Sequence, residues 1–309
     1  MPSQPSFSAR DSAFAMFIVV SWGMNFVVMK HGLQSFTPFQ MGAARYLLAA
    51  LPLMLFIRPS GLPGRWVLVY GITQGIGQFG FLFTALKFGM TASLASILMQ
   101  TQVFITALLG LIFLQERLGR SQWIGLMLAA LGLGCFGAHF ASSQAGHSSV
   151  TVLAFALTLC AASSWSISNI VARKAQQAKP GYDALAFVVW SSCVPVIPFV
   201  LLSGWLDVGS VTGVIQNMAR APFSAWLAAA YLGWIATIVA YAMWTALLKR
   251  HAANRVSPIG LGVPVVGITA GMLILGERVS TWQWAGIACV GVALVFVLFG
   301  EKILRRNER

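Results

Sequence analysis

The chain has 309 residues, 58% of them hydrophobic and 9% charged, with a mean hydropathy of +0.80. A soluble domain carries about 25% charged residues, so an ordinary water-soluble fold is excluded, and no long polar segment leaves room for a second, soluble domain. The net charge of +13 does not point to nucleic acid, because the 20 Lys and Arg sit singly or in small groups at the ends of apolar runs, not on one concentrated basic surface.

A membrane helix needs about 20 mostly apolar residues, and that ruler predicts an all-α integral membrane protein with ten transmembrane helices. The first, at 12–30, follows Arg10 and carries Trp22 and Asn25. It is too long for a signal-peptide core and is expected to be a retained span. The second, at 38–57, contains Arg45 seven residues past Pro38, roughly 10 Å deep at about 1.5 Å per residue. Arg45 has two readings: a side chain that snorkels outward or braces helix carbonyls, or a contact for a substrate carboxylate. After the turn RPSGLPGR (58–65), the third span at 66–86 sets Gln74 and Gln78 on one face. The fourth, at 91–113, places Ser93, Ser96 and Gln100 at i, i+3 and i+7, one stripe of a helix. The turn QERLGRSQWIG (115–125) leads into the fifth, at 121–140. The sixth, at 150–173, carries Trp165 and Asn169; the seventh, at 183–204, contains Pro195 and Pro198. The eighth, at 223–247, carries Tyr241 and Trp244, and the ninth, at 255–275, contains Pro264. These prolines are expected to bend or interrupt their helices. The tenth, at 281–300, precedes a short basic tail.

Charge sets the orientation. With the N-terminus cytoplasmic, the inner segments hold 15 basic residues and the outer ones four, Lys30, Lys87, Arg220 and Arg278. By the positive-inside rule both termini face the cytoplasm.

The turn at 115–125 recurs as GERVSTWQWAG at 276–286, 161 residues later. At the same offset Thr84-Ala85-Leu86 matches Thr245-Ala246-Leu247, Ser96 matches Ser257, and Glu116 matches Glu277. Two five-helix repeats, 1–142 and 143–309, account for this, and an odd number of spans gives them inverted topology. Inverted repeats are a recurring plan of secondary transporters, whose halves rock about a central site.

The paired halves, WGMNF in the first span and the ERL-type turn after the fourth and ninth resemble the EamA family of the drug/metabolite transporter superfamily. SWGMNFVVMKHGL (21–33), QFGFLFTALKFGMTASLASILMQTQ (78–102), VVWSSCVPVIPF (188–199) and RVSPIGLGVPVVG (255–267) carry the likeness over nearly the whole chain. The resemblance implies a ten-helix, bacterial-type inner-membrane exporter of small amino-acid metabolites such as O-acetylserine and cysteine. Another metabolite or an amphipathic drug is the alternative cargo.

Polar groups within spans are the first candidates for a transport path. Trp22, Asn25, Gln78, Ser96, Gln100, Trp165, Asn169, Tyr241 and Trp244 are therefore substrate-binding candidates, with Arg45 as the carboxylate contact. The competing reading is that they tie helix to helix by hydrogen bonds worth about 0.6 kcal/mol each. Gln100 aligns with Leu261, so a duty shared by both halves does not require it. The seven acids, Asp11, Glu116, Asp183, Asp207, Glu277, Glu301 and Glu308, all fall near predicted ends or loops, which favours a neutral or zwitterionic cargo over a cationic one. Glu116 and Glu277 are either proton-coupling acids or turn anchors beside Arg.

A polytopic membrane enzyme would need clustered acids, a metal set or a nucleophile–base pair. The four histidines (31, 139, 147, 251) are scattered, and the four cysteines (135, 160, 193, 289) lie in apolar runs without metal-type spacing. Neither a catalytic residue, a metal nor a cofactor is predicted. The expected partners are a small molecule and membrane lipid, and nothing in the chain points to an oligomeric state.

Overall fold

The computed structural model describes residues 7–88, 90, 92–116, 118–143, 151–275 and 281–306. Arg117, Glu277 and Arg278 lie outside the described residues, as do the side chains of Lys30, Ser93 and His139, and the whole of His147. All regular structure among the described residues is helical.

Helix α1 (Ala9–Gly32) starts at a capping box, in which Ser8 and Asp11 satisfy each other's backbone N–H. Thr37 and Gln40 do the same for α2 (Pro38–Met54). The third predicted interval is one run, α3 (Gly64–Tyr70), a π-helical stretch (Gly71–Phe79) and α4 (Gly80–Lys87). The fourth comprises α5 (Ala92–Leu98), a 3₁₀ turn (Met99–Thr101) and α6 (Gln102–Phe113), and the fifth is α7 (Arg120–Ser143). Next come α8 (Val152–Ala178), then α9 (Ala184–Ser192) and α10 (Val196–Ser203), separated by a break at Pro195 and followed by a π turn (Gly204–Val208). The eighth interval is α12 (Phe223–Ala230), a π-helical stretch (Tyr231–Val239) and α13 (Ala240–Arg250), preceded by α11 (Val211–Arg220). The chain closes with α14 (Ala253–Val256), a 3₁₀ turn (Ser257–Leu261), α15 (Gly262–Leu275) and α16 (Thr281–Arg306).

Six of these runs are long and apolar enough to cross a membrane: 9–29, 64–87, 95–113, 152–178, 184–208 and 223–250. The outer surface fits that solvent, since Leu55, Phe56, Ile112, Met127, Ile197 and Trp205 stand exposed around it. The prolines act unevenly. Pro195 breaks its helix, whereas Pro264 sits in the first turn of a continuous α15, where its missing N–H has no partner to lose. The irregular backbone of the ninth interval lies upstream, around Pro258.

The irregularities recur at nearly the offset of the sequence repeat. The nine-residue π stretches begin at Gly71 and Tyr231, 160 residues apart, and α7 and α16 begin 161 apart. These two last helices pack against each other, with Gly132 so close to Val290 that a Cβ would sit 2.9 Å from its Cγ2. Such close approach is typical of helix pairs in lipid.

The loops gather at two ends. At one, the base, Asp11 meets Arg250 and His251, Glu116 meets Arg173, and Lys179 donates to Gly61 O at 2.6 Å. At the other, the mouth, Asp207 accepts from Thr37 Oγ1 at 2.6 Å and pairs with Lys87 at 3.0 Å, while Thr151 donates to Phe88 O. The segment matched in sequence at 84–86 and 245–247 therefore ends near the mouth in one case and near the base in the other.

Candidate functional site

A cavity of about 450 Å³ runs from Arg45, Gln100 and Trp165 in the interior to Leu33, Gln34, Pro38, Leu86 and Met90 at the mouth. Small-ligand sites occupy roughly 300–1,000 Å³. Eight of the ten candidate residues line it: Trp22, Asn25, Arg45, Gln78, Ser96, Gln100, Trp165 and Tyr241. Asn169 and Trp244 do not; they stand behind the wall.

The aromatic residues form one cluster because α1, α8 and α13 each turn a large ring inward. Trp22 meets Trp165 edge-on at 5.4 Å between centroids and lies 4.7 Å from Tyr241 and 5.2 Å from Trp244. Trp22 Nε1 donates to Ala236 O at 2.9 Å, a carbonyl of the second π stretch. Tyr241 donates to Gln78 Oε1 at 3.3 Å, and Gln74 Nε2 donates to Tyr46 OH at the same distance.

Behind the rings lies a buried polar layer. Trp244 Nε1 donates to Asn169 Oδ1 at 2.8 Å, and Asn169 Nδ2 donates to Gln102 Oε1 and Thr106 Oγ1 at 3.3 Å each. Gln102 Nε2 donates in turn to Ser257 O at 3.1 Å. Low dielectric makes an unmet polar group costly, so this satisfied chain fixes Trp244, and through it the rings in front.

Arg45 is 1% exposed and does not snorkel. Its Nε donates to Thr237 Oγ1 at 2.6 Å, and the Thr237 hydroxyl proton goes to Leu232 O at 2.7 Å. The guanidinium lies over the Phe79 ring at 4.1 Å from the centroid and 5.7 Å from that of Tyr46, within the range of a cation–π contact. Both terminal nitrogens lack a partner among the described residues, as do Asn25 Oδ1, Gln100 Oε1 and Trp165 Nε1. Helix α2 comes close here because Gly233 has no side chain: a Cβ there would sit 2.8 Å from Arg45 O.

Gln100 lines the cavity and donates to Ser96 O at 3.3 Å, the carbonyl one turn back, while its oxygen lies beside Gly260, 3.3 Å from where a Cβ there would stand. Leu261, its counterpart, is buried in an apolar cluster with Ile97, Val103 and Ala107.

The base is closed by charges. Asp11 accepts from Arg250 Nη1 at 2.8 Å and faces His251 Nε2 at 3.1 Å, with Phe7 stacked on the imidazole at 4.3 Å. Burial pushes the His251 imidazole below its ordinary value, against the opposing pull of Asp11. Glu116 is a turn anchor: it accepts the N–H groups of Ala253 and Asn254 at 2.9 and 3.1 Å and lies 3.6 Å from Arg173 Nε.

Reading the sequence alone misses Thr237, Phe79, Gln102 and the Asp11–His251 pair. Gln102 offered a signal, a second amide inside one apolar run, but it stands two residues from Gln100 and so on another helix face. Thr237 offered none, because one threonine in a span reveals no partner.

A profile of the EamA-like transporter family matches residues 12–137 and again 152–299. The chain is 38% identical to a protein of Salmonella typhimurium named "Probable amino-acid metabolite efflux pump", over 98% of this chain and 99% of that one. An Escherichia coli K12 protein of the same name is also 38% identical, over 95% and 96%. A solved crystal structure superposes with a TM-score of 0.75, over 94% of this chain and 98% of its own, at 16% identity, so the fold is shared.

Proposed function

The chain belongs to the EamA-like transporter family, and we propose that it exports small amino-acid metabolites such as O-acetylserine and cysteine by alternating access. The observation that carries the proposal is the cavity, polar at its inner end, walled toward the base and reaching the mouth. The names of the two relatives support the cargo class.

In this reading the ten helical intervals are ten spans of a bacterial-type inner membrane, arranged as two inverted halves, 1–142 and 143–309. The recurrence of π stretches and the opposite ends reached by matched segments support the inversion. The base is then the cytoplasmic face and the mouth the outer face, as the basic loops favour. The closure at Asp11 and Glu116 makes this the outward-open state. Trp22, Trp165 and Tyr241 enclose the cargo; Asn25, Gln78, Ser96 and Gln100 hold its polar ends, and Arg45 meets its carboxylate. Asn169 and Trp244 act one layer back, as positioning residues.

Proteoliposomes loaded with labelled O-acetylserine or cysteine test the proposal. Efflux above that of empty vesicles is expected, and comparing runs with and without a pH gradient reports whether protons are coupled. A purified, folded protein that moves no member of a panel of small amino acids overturns it.

A further inference from the structure

Arg45 presents an unusual electrostatic arrangement. It is fully buried, its two terminal nitrogens are unpartnered, and no carboxylate pairs with it among the described residues. An isolated charge in a low-dielectric interior is strongly disfavoured unless something compensates it. Phe79 and the Thr237 hydroxyl compensate only in part: they hold one face and one nitrogen of the guanidinium, and the other two nitrogens stay unpartnered in a side chain that lines the cavity. Two further lining residues, Asn25 and Gln100, carry unpartnered oxygens, Oδ1 and Oε1, which are acceptors on neutral amides. Apart from Gln34, Gln78, Ser96 and Tyr241, the rest of the lining is largely apolar, with Met29, Leu82, Met99 and Val263.

We infer that Arg45 is the carboxylate receptor of this cavity, and that the site selects cargo bearing a free carboxylate and no second positive charge. The inference rests on the export reading above and sharpens it. A planar guanidinium offers two parallel N–H groups to a carboxylate, a geometry that lysine does not reproduce. With that pair formed, the cargo's ammonium is met by the two amide oxygens, which accept its N–H groups without a countercharge. A cationic side chain finds no acid in the lining and stays near the Arg45 charge. Lysine-like cargo and cationic drugs are therefore rejected, while an uncharged side chain fits the apolar remainder.

The test is competition. Labelled O-acetylserine counterflow in proteoliposomes is measured against L-cysteine, L-cysteine methyl ester and L-lysine, in wild type, Arg45→Lys and Arg45→Gln. The ester and lysine are expected to compete roughly 30-fold or more weakly than cysteine, the low end for losing one partner of a buried charge pair. Arg45→Gln is expected to lose the distinction between acid and ester, and Arg45→Lys to recover it only in part. Equal competition by cysteine and its ester, with transport intact, overturns the carboxylate assignment and leaves the export reading standing.

A wild type that moves no amino acid sinks the export reading instead. Arg45 is then judged by the total tryptophan emission of the protein, to which Trp22 and Trp165 at the cavity contribute, on titration with sodium propionate and with propionamide. A response to propionate alone, lost in Arg45→Gln, upholds the anion site; equal responses refute it. If Arg45→Gln does not fold, the comparison of acid with ester, or of propionate with amide, on the wild type decides.

Discussion

Replacing Thr237 with valine removes a single oxygen and leaves the side-chain volume almost unchanged. That oxygen gives its proton to Leu232 O and its lone pair to Arg45 Nε at 2.6 Å. Both residues are buried, so no water replaces the lost acceptor. A hydrogen bond to a charged group contributes about 1.5–3 kcal/mol, and ~1.4 kcal/mol is a tenfold change in an equilibrium constant. If Arg45 anchors the cargo, Thr237→Val weakens apparent affinity by roughly 10- to 100-fold, whereas Thr237→Ser, which keeps the oxygen, stays near wild type. The assay is the concentration dependence of labelled O-acetylserine counterflow at matched protein abundance, with the thermal midpoint measured in parallel. Wild-type half-saturation together with an unchanged midpoint in Thr237→Val refutes the reasoning, because Arg45 would then hold its orientation without this bond.

Three further outcomes are expected. Gly233→Leu forces α2 away from the second π stretch, since even a Cβ would meet Arg45 O at 2.8 Å and Ala49 N at 3.2 Å; a clear fall in melting temperature should result, and wild-type stability would contradict that packing. Glu116→Gln removes the charge that faces Arg173 and two N–H groups, so cysteine reporters placed near the base should become more reactive to a soluble maleimide; unchanged reactivity would show that the carboxylate does not hold the closure. His251 faces Asp11, Arg250 and Arg255, and burial holds its imidazole below its ordinary value. As pH falls through ~6.5, the unfolded histidine gains a proton that the native one resists. Stability should therefore decline on acidification, and His251→Gln should flatten that slope in melting curves taken between pH 8 and 5.

Hydropathy made the helices legible, because the bilayer demands a minimum apolar length, which six runs among the described residues meet. The clustering of loops at two ends was also readable from the charges at 58–65, 173–179 and 249–255. Two kinds of feature were not. Helix α11 sets Val211, Val214, Ile215 and Met218 on one stripe over only ten residues, too short for a 20-residue window but suited to a membrane surface. The π stretches leave no residue signature, since any apolar run accommodates them, and Pro264 drew attention away from the irregular turn at 257–261. At the cavity, residue type exposed the polar candidates but not their order in depth. Asn169 stands behind the wall because Gln102 and Trp244 hold it there. Arg45 looked able to reach the interface until Phe79 and Thr237 were seen around it.

The paired π stretches have a mechanical consequence. Each N–H there reaches back five residues instead of four, so Gly71–Phe79 and Tyr231–Val239 store slack within otherwise rigid rods. Passing that surplus residue up or down a turn rotates the side chains beyond it without breaking the rod. Gln78 and Phe79 ride on one such coil, and Thr237 and the carbonyl that grips Trp22 ride on the other. Two supports of the cavity wall, Phe79 beneath Arg45 and Ala236 O beneath Trp22, are thus mounted on these two π-helical lengths of backbone.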